Sequence, residues 1–129
     1  MSDAITVLIV DDETLIHPTL QDVLEDGGFA TATASTPDNA IAMLEAEGQA
    51  YSALVTDINL GAKLTGWDIA RRAREINPDI PVVYMTGFAD NEWPANGVPN
   101  SVLLTKPFAG AQLVTAVSQL LNAALTKPG

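Results

Sequence analysis

The sequence predicts an α/β fold, a doubly wound sheet of five parallel strands with helices on both faces, and three observations carry that prediction. Five short apolar runs alternate with stretches whose apolar residues recur at helical spacing. The first run, TVLIV at Thr6–Val10, is continuous and β-branched, as in a strand covered on both faces. Four of the runs are followed at once by polar residues: Asp11 and Asp12, Asp57, Thr86, and Lys106. In a parallel sheet these would all emerge at the carboxyl edge, where open α/β sheets place their ligand sites.

The elements follow in order. After the first strand, Ile16, Leu20, Val23 and Leu24 keep helical spacing until Gly27 and Gly28 stop the helix, and Pro18 falls early, where a missing donor costs least. Residues 29–34 form a short second strand. Thr36, Pro37 and Asp38 then combine cap, proline and first-turn acid at the start of a helix that turns Ile41 and Leu44 inward and ends at Gly48. Residues 53–56 are the third strand. Gly66, Ile69, Ala70, Ala73 and Ile76 mark the buried stripe of the next helix, closed by Asn77 and Pro78. Residues 80–85 are the fourth strand, but ADNEWPANGVPN after it is polar and broken by Pro94, Gly97 and Pro99, so any helix there is short. Residues 102–104 give the fifth strand, and Leu113, Val117, Leu120, Leu121 and Ala124 the terminal amphipathic helix. Right-handed crossovers complete the topology.

A chain of 129 residues, 47% hydrophobic, suits one domain spanning residues 1–129. Its formal charge of −10 repels phosphate backbones and anionic surfaces, which argues against direct nucleic-acid binding. With no cysteine there is no disulfide framework, thiol nucleophile or thiolate metal site. The start MSDAITVLIVDDE lacks the features of a secretory signal, and no run approaches the roughly 20 apolar residues of a membrane span, so a cytoplasmic protein without membrane insertion is expected.

Three carboxylates converging where water is partly excluded repel one another unless a cation joins them. An all-oxygen set suits magnesium, which takes one or two carboxylates, keeps several waters and often adds phosphate oxygens. A single histidine and no cysteine make a zinc or copper site improbable. Lys106 adds a positive charge and Thr86 a hydroxyl, so the edge suits a phosphoryl group. A carboxylate can itself accept that group as an acyl phosphate. Asp57 is the best candidate, because it stands alone after the middle run while Asp11 and Asp12 are paired like metal ligands.

In VLIVDDE, LVTDINL, VVYMTG and LLTKPF, taken in this order and spacing, the chain resembles the receiver domain of two-component response regulators over essentially its whole length. The resemblance implies a single receiver domain with the flavodoxin-like strand order 2-1-3-4-5. It implies that Asp57 is phosphorylated from a phosphohistidine on a sensor histidine kinase or histidine phosphotransfer protein, and that the protein signals by conformational change to an unknown downstream partner. By the same resemblance Asp12 is a direct magnesium ligand, Asp11 acts mainly through water, Asp57 is a ligand and Asn59 lends its backbone carbonyl. Thr86 is then the switch hydroxyl and Lys106 the lysine that pairs with the phosphoryl group, with a cis bond before Pro107 turning Lys106 inward. The protein would catalyse only its own phosphorylation and dephosphorylation.

Three positions depart from the family pattern. Gly61 stands where a proline is usual and Gly66 arrives one residue late, so a longer or looser loop is expected after Asp57. Leu103 stands where the switch aromatic is usual. Phe88, two residues beyond Thr86, is hypothesised to shield an acyl phosphate from water, an idea that an unchanged dephosphorylation rate in Phe88→Ala would overturn.

Simpler readings accompany these. Asp11 and Asp12 alone could open a helix, Asp57 and Asn59 alone could form a turn, and Lys106 alone could be a solvated loop lysine; their joint occurrence favours a site. His17 reads as a surface or helix-start residue, Glu13 as a first-turn helix acid, and Trp67 and Trp93 as packing or surface aromatics. Two rival functions are a degenerate receiver that binds a partner without phosphorylation and an aspartyl phosphatase resembling the haloacid dehalogenases. Asn59 disfavours the latter, which would need an aspartate there. The chain is either a free-standing regulator or the receiver of a larger hybrid kinase.

Overall fold

In the computed structural model, which describes residues 5–87 and 97–126, the chain runs β1 (Thr6–Val10), α1 (His17–Asp26), β2 (Ala30–Ala34), α2 (Pro37–Glu47), β3 (Ala53–Asp57), α3 (Gly66–Ile76), β4 (Val82–Thr86), β5 (Ser101–Thr105) and α4 (Gly110–Thr126). The strands form one parallel sheet in the order β2-β1-β3-β4-β5. Order and orientation match the expectation. Phe88, Trp93 and the ADNEWPAN stretch lie outside the described residues.

The continuous apolar runs are explained by burial on both faces. Leu8 and Val10 of β1 join Leu54 of β3, Val82 and Tyr84 of β4, Leu44 of α2 and Ile69 of α3 in one core. Val7 and Ile9, pointing the other way, join Val55, Val83 and Met85 with Leu20 and Leu24 of α1 and Leu113 and Val117 of α4 in the second. Trp67 is a packing aromatic, its ring centroid 4.6 Å from that of Tyr84. Every residue of β3 and β4 is buried, whereas no residue of β5 is.

Local chemistry sets the boundaries. Thr36 caps α2 by accepting from the Asn39 N–H, with Pro37 next. Thr65 and Asp68 form a reciprocal capping box at the start of α3. β4 begins at Val82, after Pro81, which has no N–H to give the ladder. The entry to α1 differs from expectation: a single 3-10 turn, Thr14–Ile16, intervenes, and Glu13 precedes it rather than standing in the first turn of the helix. His17 is the first residue of α1 and is buried.

Candidate functional site

Strand register assembles the polar strand ends. Val10 pairs with Thr56, so Asp11 and Asp57 leave adjacent strands side by side. Thr86 pairs with Thr105, and the next residue, Lys106, donates its N–H to the Thr86 carbonyl at 2.7 Å. The peptide bond between Lys106 and Pro107 is cis. From this outer position the Lys106 ammonium reaches past β4 to donate to Asp57 Oδ2 at 3.0 Å and Asp11 Oδ2 at 3.2 Å. Asp12 completes a group in which Asp11, Asp12 and Asp57 each bring a ligand atom within 4.8 Å of the others.

The electrostatics are unbalanced. Three carboxylates face one ammonium, Asp11 and Asp57 are buried and Asp12 is exposed. Burial pushes the Asp57 carboxyl above its ordinary range, the nearby Asp11 adds to that, and the bonds from Lys106 and the Asn59 N–H only partly oppose it. Burial alone would lower Lys106, but Asp57 and Asp11 together outweigh it and hold the ammonium above its ordinary value. The three carboxylates lie close enough together, within 4.8 Å, for one cation to reach all of them. The donor set is all oxygen, so the residues present fit a hard divalent cation.

Thr86 is buried at the end of β4. Asn59 is exposed beside the pocket, its N–H 3.3 Å from Asp57 Oδ1. The loop after Asp57 is held down at intervals: Ile58 and Leu60 are buried, and Gly61 turns the chain with φ +63°. A Cβ at Gly61 would stand 3.3 Å from Asp12 Oδ2, so this residue lies directly against the acidic pair. The first part of the loop is thus folded onto the site, while Ala62 and Lys63 beyond it are exposed. At its far end the Gly66 N–H donates to the Ile58 carbonyl, and a Cβ on Gly66 would collide with the Asp57 carbonyl oxygen. Glycine there lets the start of α3 approach the end of β3.

His17 also takes part in the site, through the backbone. The His17 ring places Nε2 2.7 Å from the Asp11 carbonyl oxygen, a buried contact. A carbonyl only accepts, so this nitrogen carries the proton. No local pattern announced the contact, because it depends on how the 3-10 turn rotates α1 back toward β1. Gly61 left a weaker trace as a glycine in a polar loop. Leu103 is half-buried, aligned with Tyr84 of β4 and packed against the same core. Tyr84 is fully buried, and its hydroxyl accepts from the Val98 N–H at 3.1 Å, tying the approach to β5 to the middle of the sheet.

Comparison with known proteins gives a consistent picture. Residues 7–118 match the family model described as the response regulator receiver domain. The response regulator receiver protein CpdR of Brucella abortus is 32% identical over 120 residues, covering 92% of this chain and 98% of that protein. The sensor kinase CckA of the same organism is 27% identical over 125 residues, which cover 95% of this chain but only 13% of the kinase. Among solved structures, a response regulator receiver protein from Sinorhizobium medicae WSM419 superposes with a TM-score of 0.90 at 47% identity, covering 95% of this chain and 98% of that one. Among the described residues no helix is long and apolar enough to cross a membrane.

Proposed function

The chain belongs to the response regulator receiver family, and from that membership and the geometry of its carboxyl edge we propose that it accepts a phosphoryl group on Asp57 and signals by changing shape. The observation that carries the reading is the Lys106 ammonium bridging Asp57 and Asp11, with Asp12 in the same group. The donor is a phosphohistidine on a sensor histidine kinase or histidine phosphotransfer protein. An Asp57 carboxylate oxygen attacks phosphorus, the phosphorus–nitrogen bond breaks, and the imidazole leaves with the electron pair.

Asp11, Asp12 and Asp57, with the Asn59 backbone carbonyl, are the groups that would hold magnesium. The ion would supply positive charge against the phosphoryl oxygens. Lys106 neutralises charge from the other side, moving from Asp57 to the new phosphoryl group while keeping Asp11. Thr86 offers its hydroxyl to the same group. The added charge of roughly −1.5 to −2 falls beside the buried carboxylates of Asp11 and Asp57, an adequate trigger for rearrangement of β5.

Residues 1–129 are read as one receiver domain in the cytoplasm that catalyses only its own phosphorylation and dephosphorylation, and its signal passes by protein contact, dimerisation or phosphate relay without direct nucleic-acid binding. The likeness to a segment of CckA supports a kinase-linked donor. Incubation with acetyl phosphate and magnesium, followed by intact mass, tests the proposal. One phosphate adduct on wild type and none on Asp57→Asn is expected. No adduct on either would favour phosphorylation-independent partner binding, and multiple turnover of the donor on the variant would overturn the assignment of Asp57.

A further inference from the structure

His17 is a buried imidazole that the proposed phosphoryl transfer does not use. Asp11 is engaged at every other polar atom: its N–H donates to the Ala34 carbonyl at 3.2 Å, Oδ1 accepts from the Glu13 N–H at 2.8 Å and Oδ2 accepts from Lys106. In a parallel ladder the N–H and C=O of one residue face the same neighbouring strand. The Asp11 carbonyl therefore points toward β2, which has already ended at Ala34, and His17 Nε2–H reaches it at 2.7 Å.

We propose that His17 is a positioning residue for the metal site, holding the peptide between Asp11 and Asp12 in the orientation that keeps both carboxylates in the pocket. The peptide plane carries the Asp11 carbonyl on one side and the Asp12 N–H on the other, so a donor on that carbonyl sets the direction in which the chain delivers Asp12. A Cβ at Gly61 would stand 3.3 Å from Asp12 Oδ2, so Gly61 borders the carboxylate that this peptide delivers. Groups that orient metal ligands from behind typically change metal affinity 10–100-fold when removed.

This inference rests on the magnesium reading of the site, and the experiment separates the two. Magnesium affinity is measured at fixed pH by calorimetry on wild type, His17→Ala and His17→Gln, the last keeping an amide donor at similar reach. The expected result is affinity about tenfold weaker in His17→Ala and within about twofold of wild type in His17→Gln. Acetyl phosphate labelling of His17→Ala should recover at saturating magnesium. Equal affinity in wild type and His17→Ala, or equal weakness in both variants, overturns the role of His17 and leaves the site reading intact. Failure of wild type to bind magnesium overturns both. Should His17→Ala not fold, the His17 Nε2–H resonance of wild type supplies the answer: a shift on magnesium addition supports the coupling, and an unmoved resonance contradicts it.

Discussion

Asp57 ends a strand buried along its whole length, whereas Lys106 follows an outer strand in which every residue is at least partly open to solvent. The two meet at 3.0 Å, yet the scaffolds behind them differ in kind. The central strands fix negative charge in place before any reaction, held by two cores and by a ladder on either side. The outer strand delivers the positive charge on a long side chain from a position that can yield. Under the proposed function, the difference divides labour between a fully buried centre that would receive the phosphoryl group and a half-buried edge that would move in response.

Packing offers the broadest way to break this comparison. Leu54→Ala, at the centre, should cost about 3 kcal/mol in urea unfolding, and Leu103→Ala, at the edge, about 1 kcal/mol. Equal losses would mean that the edge is as tightly built as the centre. The comparison sharpens at the charges. Lys106→Met should slow labelling by acetyl phosphate on the order of 100-fold, about 2.7 kcal/mol of barrier, because the charge that follows the phosphoryl group is gone. A change below threefold would show that the lysine merely pairs with carboxylates. Close approach gives the next effect: Gly66→Ala should cost about 2 kcal/mol, since its Cβ cannot share space with the Asp57 carbonyl oxygen.

The smallest effect concerns pH and runs opposite to the usual aspartate. Burial raises the folded pKa of Asp57 above the ordinary value of 3.8, so between those values the folded state holds a proton that the unfolded state has released. The destabilisation from Asp57 is absent below the ordinary value, grows as pH rises through the folded pKa and is full above it. Asp57→Asn should therefore be more stable than wild type by about 1 kcal/mol at neutral pH without metal. Melting curves should show that advantage vanishing toward pH 3. An advantage that grows on acidification would reverse the sign assigned to this carboxyl.

Much of this was legible in the residues. TVLIV announced a strand buried on both faces, and the recurrence of Asp11, Asp12, Asp57, Thr86 and Lys106 after apolar runs located the carboxyl edge, because a parallel sheet turns such spacing directly into proximity. Thr65 and Asp68, lying between the motifs, show how a capping box marks a helix start by local chemistry alone. The His17 contact was not legible, although its place at a helix start was: its partner is a main-chain carbonyl six residues away, brought near by one turn of 3-10 helix, and a bond to backbone outside a capping or turn motif leaves no pattern in side-chain identity. The loop after Asp57 is expected to be longer or looser; Ala62 and Lys63 are exposed, while buried Ile58 and Leu60 and the left-handed Gly61 fold its first part against Asp12. Its apolar residues were too few to show a period, so their burial could not be read in advance.

The central claim is that the buried carboxylate at the end of β3, and no other member of the acidic group, receives the phosphoryl group. Borohydride reduction of the labelled chain converts an aspartyl phosphate to homoserine, and peptide mass mapping then identifies the residue. The account predicts homoserine at position 57 alone. Homoserine at position 11 or 12, or a phosphate retained elsewhere with Asp57 unreduced, would contradict it.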